Sequence, residues 1–190
     1  SDSSSDTVEL LLDHDLPGNT AWISLEDYKA AGGTEEEYGS EGNNKYGPLT
    51  ALKHLKQGTD SWNGVVTLTS EDNVTRENGS GSTYTINYEG YKARLISGQE
   101  LADIVGKLQI SYFNVPTWLY SNMAVSVDEE GNPTFNDVYE HGVYWTDSAG
   151  AWNPRRAWLV NSGGYVLDNL VSDALGCGVR PVVRILKSNL

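Results

Sequence analysis

Short apolar runs separated by polar, glycine-rich stretches make up most of the chain, and two of the runs carry helical spacing. Residues 93–108, ARLISGQELADIVGKL, give the clearest pattern. Ala93–Ile96 reads as a short strand. Ser97 and Glu100 have the spacing of a capping box. Leu101, Ile104, Val105 and Leu108 then follow the i, i+3, i+4, i+7 rule of an amphipathic helix, which predicts a helix to Leu108 packed on a sheet. In PLTALKHLKQG (48–58), Leu49, Leu52 and Leu55 recur along one face, with Lys53 and Lys56 outside it. Pro48 suits the first helical position and Gly58 the position just past the end.

The remaining apolar runs read as strands. VELLL (8–12) opens the chain, and its leucines predict burial on both faces. DHDLPGNT then turns at Pro17-Gly18. VVTLT (65–69) and TYTINY (83–88) are strand-like, with SEDNVTRENGSGS between them as a polar loop. GVYWT (142–146) is followed by AWLV and YVLD, a hairpin across Ser162-Gly163-Gly164. In that hairpin Trp158 and Val160 share a face, with Tyr165 and Leu167 as the facing pair. GVRPVVRIL (178–186) closes the chain, and Pro181, which lacks a ladder donor, belongs at a strand start, an edge or a bulge. Residues 30–47, AAGGTEEEYGSEGNNKYG, are acidic and glycine-rich and predict a long exposed loop. Residues 1–6 are a disordered polar tail. With no internal repeat or linker, the expectation is one α+β domain over 7–190, two helices on small antiparallel sheets with long loops.

Composition narrows the function. A net charge of −13 in 190 residues argues against nucleic acid as a partner, because phosphate binding needs a basic face. Cys177 is the single cysteine, which excludes an internal disulfide and cysteine-rich zinc sites and predicts a small buried residue. His14, His54 and His141 lack metal-ligand spacing. DHD (13–15) reads as a turn whose carboxylates bond the local backbone. EDN (71–73) and DEEGN (128–132) lack EF-hand spacing and read as solvated loops. NSGG around Ser162 lacks the Gly-x-Ser-x-Gly elbow, and GSGS (79–82) lacks the lysine and context of a phosphate loop. No apolar stretch approaches the ~18 residues of a membrane span, and no basic segment followed by an apolar one marks a signal peptide. The expectation is a soluble chain without catalytic residues, metal or cofactor.

The aromatic residues divide in two. Trp145 and Trp158 fall in strand patterns and belong to the core. Trp152 lies in DSAGAWNPRR, a loop punctuated by glycine and proline, beside the only adjacent basic pair in the chain. Tryptophan and arginine are enriched at binding hot spots. Asp147, Trp152, Asn153, Arg155 and Arg156 are therefore the candidate contact residues. The alternative is that the arginines pair with local acids such as Asp147.

YKARLISGQEL, YWTDSA, AWLVNSGGYV and the closing GVRPVVRI together resemble the C-type-lectin-like domains of bacterial surface proteins. The same order of blocks is found in formylglycine-generating-enzyme-like proteins and in diversified phage or retroelement receptors. VELLLDHDLPGNTAW and LTALKHLKQGTDSW are similar to the front part of a Gram-positive subgroup, some members of which follow a prepilin-type N-terminal segment. The blocks span most of residues 8–187. The resemblance implies a loop-rich C-type-lectin-like fold whose first and last strands pair. It also implies export to the cell surface, with protein subunits of a surface assembly or an extracellular ligand as partner. Any membrane association would run through a segment outside this chain. SWNG (61–64) and AWNP (151–154) lack the aspartate that calcium-binding lectins place after asparagine, and no Glu-Pro-Asn occurs, so calcium-dependent sugar binding is not expected. Formylglycine-generating enzymes need a cysteine pair. The expected function is a non-enzymatic adhesion or assembly module, in one form the head of a pilin-like subunit. The alternatives are a free receptor for carbohydrate or protein, and an enzyme derived from the same fold.

Overall fold

The computed structural model describes residues 6–121, 125–127, 133–135, 143–150 and 152–190, with 125–127 and 133–135 described by backbone alone. The expectations for residues 1–5, DEEGN and His141 lie outside these. The elements run in the order β1 (Thr7–Leu11), α1 (Leu25–Ala30), α2 (Glu35–Tyr38), α3 (Leu49–Thr59), β2 (Val74–Glu77), β3 (Thr83–Ile86), β4 (Arg94–Leu95) and α4 (Gly98–Ile104). They continue with β5 (Phe113–Asn114), β6 (Val125–Val127), β7 (Pro133–Phe135), β8 (Val143–Ala149), β9 (Arg156–Asn161), β10 (Tyr165–Leu170), β11 (Cys177–Gly178) and β12 (Pro181–Leu186). The protein is α+β, with short helices and several small sheets.

A five-stranded sheet in the order β11-β8-β9-β10-β5 forms the centre. It is buried on both faces. Trp145, Ala157 and Leu159 project into a large core shared with α1, α3 and the β2–β3 hairpin, through Trp22, Tyr28, Leu52, Leu55, Tyr84 and Ile86. Tyr144, Trp158, Val160 and Val166 project the other way, against Leu101 and Ala102 of α4 and against Phe113 and Leu119. Because side chains alternate along a strand, Trp145 and Trp158 are both core residues on opposite faces. Trp22 and Trp145 also tie the first segment to the sheet reciprocally. Trp22 Nε1 donates to the Thr146 carbonyl and Trp145 Nε1 to the Thr20 carbonyl, each at 2.9 Å.

The first and last strands pair antiparallel, from Thr7 opposite Leu186 to Leu11 opposite Val182, with β4 on the far side of β12. Pro181 begins β12, where its missing donor breaks no ladder. Cys177 is buried as expected.

Several expectations are corrected. β1 is an edge strand with Glu9 and Leu10 exposed, not buried on both faces. Residues 65–69 form no strand; they make isolated bonds, Val66 N to Arg184 O at 2.7 Å and Leu68 N to Tyr91 O at 2.8 Å. The ladder lies in the segment read as polar loop, where Val74–Glu77 pairs with Thr83–Ile86. Residues 30–47 are not an open loop: Thr34 and Glu37 cap α2 reciprocally, and Tyr38 and Asn44 are buried. In the 156–170 hairpin Trp158 faces Asp168, and Leu167 faces Leu159, one residue out of the expected register. Helix α3 runs through Gly58 to Thr59 with Pro48 at its cap. Helix α4 has the predicted Ser97–Glu100 box but stops at Ile104, because Gly106 takes a φ of +71° that ends the helix. Leu108 is thereby left 98 % exposed. In the DHD turn Asp13 bonds the His14 ring, whereas Asp15 is buried.

Ion pairs tie the sheet edge together. Arg94 bonds Glu9 and Glu100, each at 2.6 Å, and Arg184 bonds Glu9 at 3.0 Å and Asp72 at 2.7 Å. Burial works to raise the Glu9 and Glu100 carboxyls, but hydrogen bonds and charge from Arg94, joined by Arg184 at Glu9 and Ser97 at Glu100, hold both below the ordinary range. A carboxyl depressed by folding adds stability above its unfolded pKa of about 4.3, and that stability is lost as pH falls through the folded value. Wild-type melting temperature is therefore expected to fall between about pH 5 and pH 3. Arg94→Met should cost about 1–2 kcal/mol at pH 7, since both acids are partly solvated. Thermal melts across this range should show the wild-type and variant curves converging at low pH. Parallel curves would contradict the assignment.

Candidate functional site

The candidate residues lie where β8 gives way to β9. Pairing of these strands is interrupted between Trp145 and Ala149, which face Leu159 and Ala157, so β8 carries two extra residues as a bulge. The bulge turns Asp147 inward. Its carboxylate accepts from Arg76 Nε at 3.1 and 3.2 Å and from Arg76 Nη2 at 2.8 Å. Ser148 Oγ donates to it at 3.0 Å. Tyr84 Oη closes the same knot, donating to the Asp147 carbonyl at 2.7 Å and accepting from Ala149 N at 2.9 Å. Burial pushes the Asp147 carboxyl up, and the Arg76 guanidinium offsets part of that rise. Asp147 is thus a buried structural anchor and is not part of the exposed loop surface.

Beyond Ala149 the chain leaves the sheet, and its backbone is clamped from three sides. Gly150 N donates to Arg156 O at 2.8 Å across the loop base. Asn44, fully buried, donates its backbone N to Pro154 O at 2.6 Å, and its Nδ2 to Asn153 O at 3.1 Å and Arg156 O at 2.9 Å. Gly79, in the β2–β3 turn, lies so close that a Cβ there would sit 2.5–2.6 Å from the backbones of Asn153 and Gly150. Asn153 Oδ1 accepts from Arg155 N at 2.9 Å, which makes a local turn. On this held backbone Trp152 is 91 % exposed.

The two arginines do pair with acids, but not with Asp147. Arg155 Nη1 meets Glu41 at 2.6 Å, and Arg156 Nη1 meets Asp168 at 3.2 Å. Asp168 also accepts from Tyr112 Oη at 2.7 Å, and the Tyr112 ring lies edge-on to Trp158 with centroids 5.4 Å apart. Trp152, Asn153, Arg155 and Arg156 therefore share one loop, with Glu41 and Asp168 beside it.

Three residues that hold the loop were not candidates from the sequence: Asn44, Arg76 and Gly79. Asn78-Gly79 is a hairpin signal between the alternating VTRE and TYTI and points to the β2–β3 turn. Asn44 carries no local signal, because its partners lie more than a hundred residues away.

Two further hollows are open on the surface. One, about 510 Å³, is lined by Tyr46, Leu49, Leu52, Ile86 and Tyr91, with the Asp27–Lys53 ion pair at its edge. The other, about 390 Å³, is lined by the paired charges Arg76, Arg94, Arg184, Asp72, Glu100 and Asp147. Among the described residues no group of three or more His, Cys, Asp and Glu side chains is placed to hold a metal ion, and no helix is long and apolar enough to cross a membrane. Burial, with the charge of Asp173, pushes the Cys177 thiol up to about 12, so it stays protonated and is a poor nucleophile. The chain matches no protein family model, no curated protein and no solved structure.

Asn44→Ala is expected to cost about 2 kcal/mol through its two lost side-chain bonds, or about 4–8 °C in melting temperature. Gly79→Ala should displace the same loop because its obstacle is backbone. In both variants the Gly150 and Arg156 amides should exchange hydrogen faster while those of β9 and β10 beyond Arg156 hold. Unchanged protection at those two amides would show that the loop is held by other contacts.

Proposed function

We propose that this chain is an exported, non-enzymatic binding module with a C-type-lectin-like fold that serves adhesion or assembly at a cell surface. Its specific form is the globular head of a pilin-like filament subunit. One observation carries the reading: an indole 91 % exposed stands on a loop whose backbone is fixed by Asn44 and Gly79. An exposed tryptophan gains nothing for folding, and a held backbone lowers the entropy lost when the ring is covered by a partner. The pairing of the first and last strands and the loop-rich half around Trp152 support the fold assignment. Arg155 and Arg156 add planar donors to the same loop.

The second reading, a free receptor for carbohydrate or protein, is favoured by the hollow beside Tyr46 and Tyr91, whose volume falls in the range of ligand sites. The enzyme reading has no matching support, since Cys177 is the single cysteine and is buried.

Trp152→Ala should shift the melting temperature by no more than about 2 °C. Beads coated with wild-type or variant protein, exposed to a glycan array and a panel of extracellular matrix proteins, should show at least about tenfold weaker capture by the variant. Equal capture would remove Trp152 from the contact surface, and a large loss of stability would place it in the core. Fractionation of the producing cells should find the protein at the surface; a cytosolic location would overturn the exported reading.

A further inference from the structure

The exposed indole has a counterpart elsewhere on the molecule. Between the β1–β12–β4 sheet and α4 lies a groove of about 340 Å³ with walls of Leu11, Ile96, Ile104, Val182 and Trp118. It is open because α4 stops at Ile104, which is left 42 % exposed, and because Trp118 stands 52 % exposed at the opposite wall. Trp118 is not loosely held. The buried Arg180 guanidinium donates to the Trp118 carbonyl at 3.2 Å and to that of Leu119 at 2.8 Å. The rim carries Glu9, Glu100 and Asp103 with Arg94, and Arg184 behind it also bonds Glu9, which leaves Asp103 as the acid outside these ion pairs. Asp103 bonds the Gln99 amide at 2.8 Å and, among the described residues, no cation.

We propose that this groove receives Trp152 from a second copy of the chain. The inference rests on the reading of Trp152 as a contact residue and names its partner. Three features fit. The groove is apolar at its floor, has room for one indole, and offers the Trp118 ring for an offset or edge-on aromatic contact. Its rim is acidic, and the tryptophan arrives with Arg155 and Arg156, the chain's adjacent basic pair. Arg155 is bound to half-exposed Glu41 through one nitrogen, a surface pair weak enough to be exchanged for Asp103 of the other copy. Trp152 is not among the residues lining its own groove, so the contact joins donor and acceptor patches of different molecules. One buried indole makes a small interface, so association is expected only above about 10⁻⁵ M. Two copies each carrying −13 repel one another at long range, so about 0.15 M salt favours the contact.

Analytical ultracentrifugation at that ionic strength tests the proposal with wild type, Trp152→Ala as a copy with no donor, and Ile104→Arg as a copy with a blocked acceptor. Asp103→Lys, at an exposed position on the groove rim, serves as a second acceptor variant should Ile104→Arg fail to give a cooperative melt. Wild-type mass should rise with concentration, and each variant alone should remain monomeric. An equimolar mixture of donor-less and acceptor-blocked copies should form one-to-one dimers, because one intact contact remains between them. A monomeric wild type, variants that associate as wild type does, or a mixture that stays monomeric would each overturn the proposal. If wild type is monomeric yet Trp152→Ala still loses capture on the array, the groove contact fails and the binding role of Trp152 stands.

Discussion

A carboxylate sealed inside a protein needs a cation and several donors, and Asp147 obtains them from Arg76 and Ser148. Much of the arrangement depends on this pair. The bulge that turns Asp147 inward is also what makes β8 leave the sheet at Gly150, and Arg76 brings the β2–β3 hairpin against that point. The hairpin in turn places Gly79 under the loop and Tyr84 across the Asp147 and Ala149 backbone. Removing Arg76 would leave the Asp147 carboxylate buried without its partner, which is the costly way to break such a pair, whereas Arg76 alone keeps part of its side chain in water.

The central sheet is a second constraint. Buried on both faces, it divides the interior into two cores and gives each tryptophan of its strands a different set of neighbours. The reciprocal indole bonds of Trp22 and Trp145 then fasten the first segment across that sheet. Trp152, Ile104 and Trp118 stand exposed where regular structure ends: in the loop before β9, at the end of α4 and in the short turn after β5.

Much of this was legible in the residues, and what was not has physical reasons. The Ser97–Glu100 cap, the helix after Pro48, the strand before the 162–164 turn and the closing strand at Pro181 all rest on local chemistry and are found where local chemistry puts them. Val74–Glu77 was hidden because a half-exposed hairpin alternates weakly, although Asn78-Gly79 marked its turn. Val65–Thr69 has strand composition but meets only scattered partners at Arg184 and Tyr91. Thr34–Glu37 carried a capping box inside a stretch whose acidity and glycines masked it. Asn44 lay beyond reach, since nothing beside it in sequence announces that it organises a loop a hundred residues on. For the candidate site, the exposure of Trp152 followed from the loop around it, whereas the inward turn of Asp147 followed from a bulge that no local pattern announces.

The pairing of β1 with β12 also decides how the molecule carries a load. Thr7 lies opposite Leu186, and the Lys187 amide bonds the Asp6 carbonyl, so both ends of the chain leave the same end of one antiparallel ladder. Tension between the two ends opens that ladder one rung at a time and does not shear its five pairs together. Tension between either end and the Trp152 loop instead runs through the body of the fold. Pulled between one end and that loop, the fold takes force across its packed body and not along the edge of a ladder.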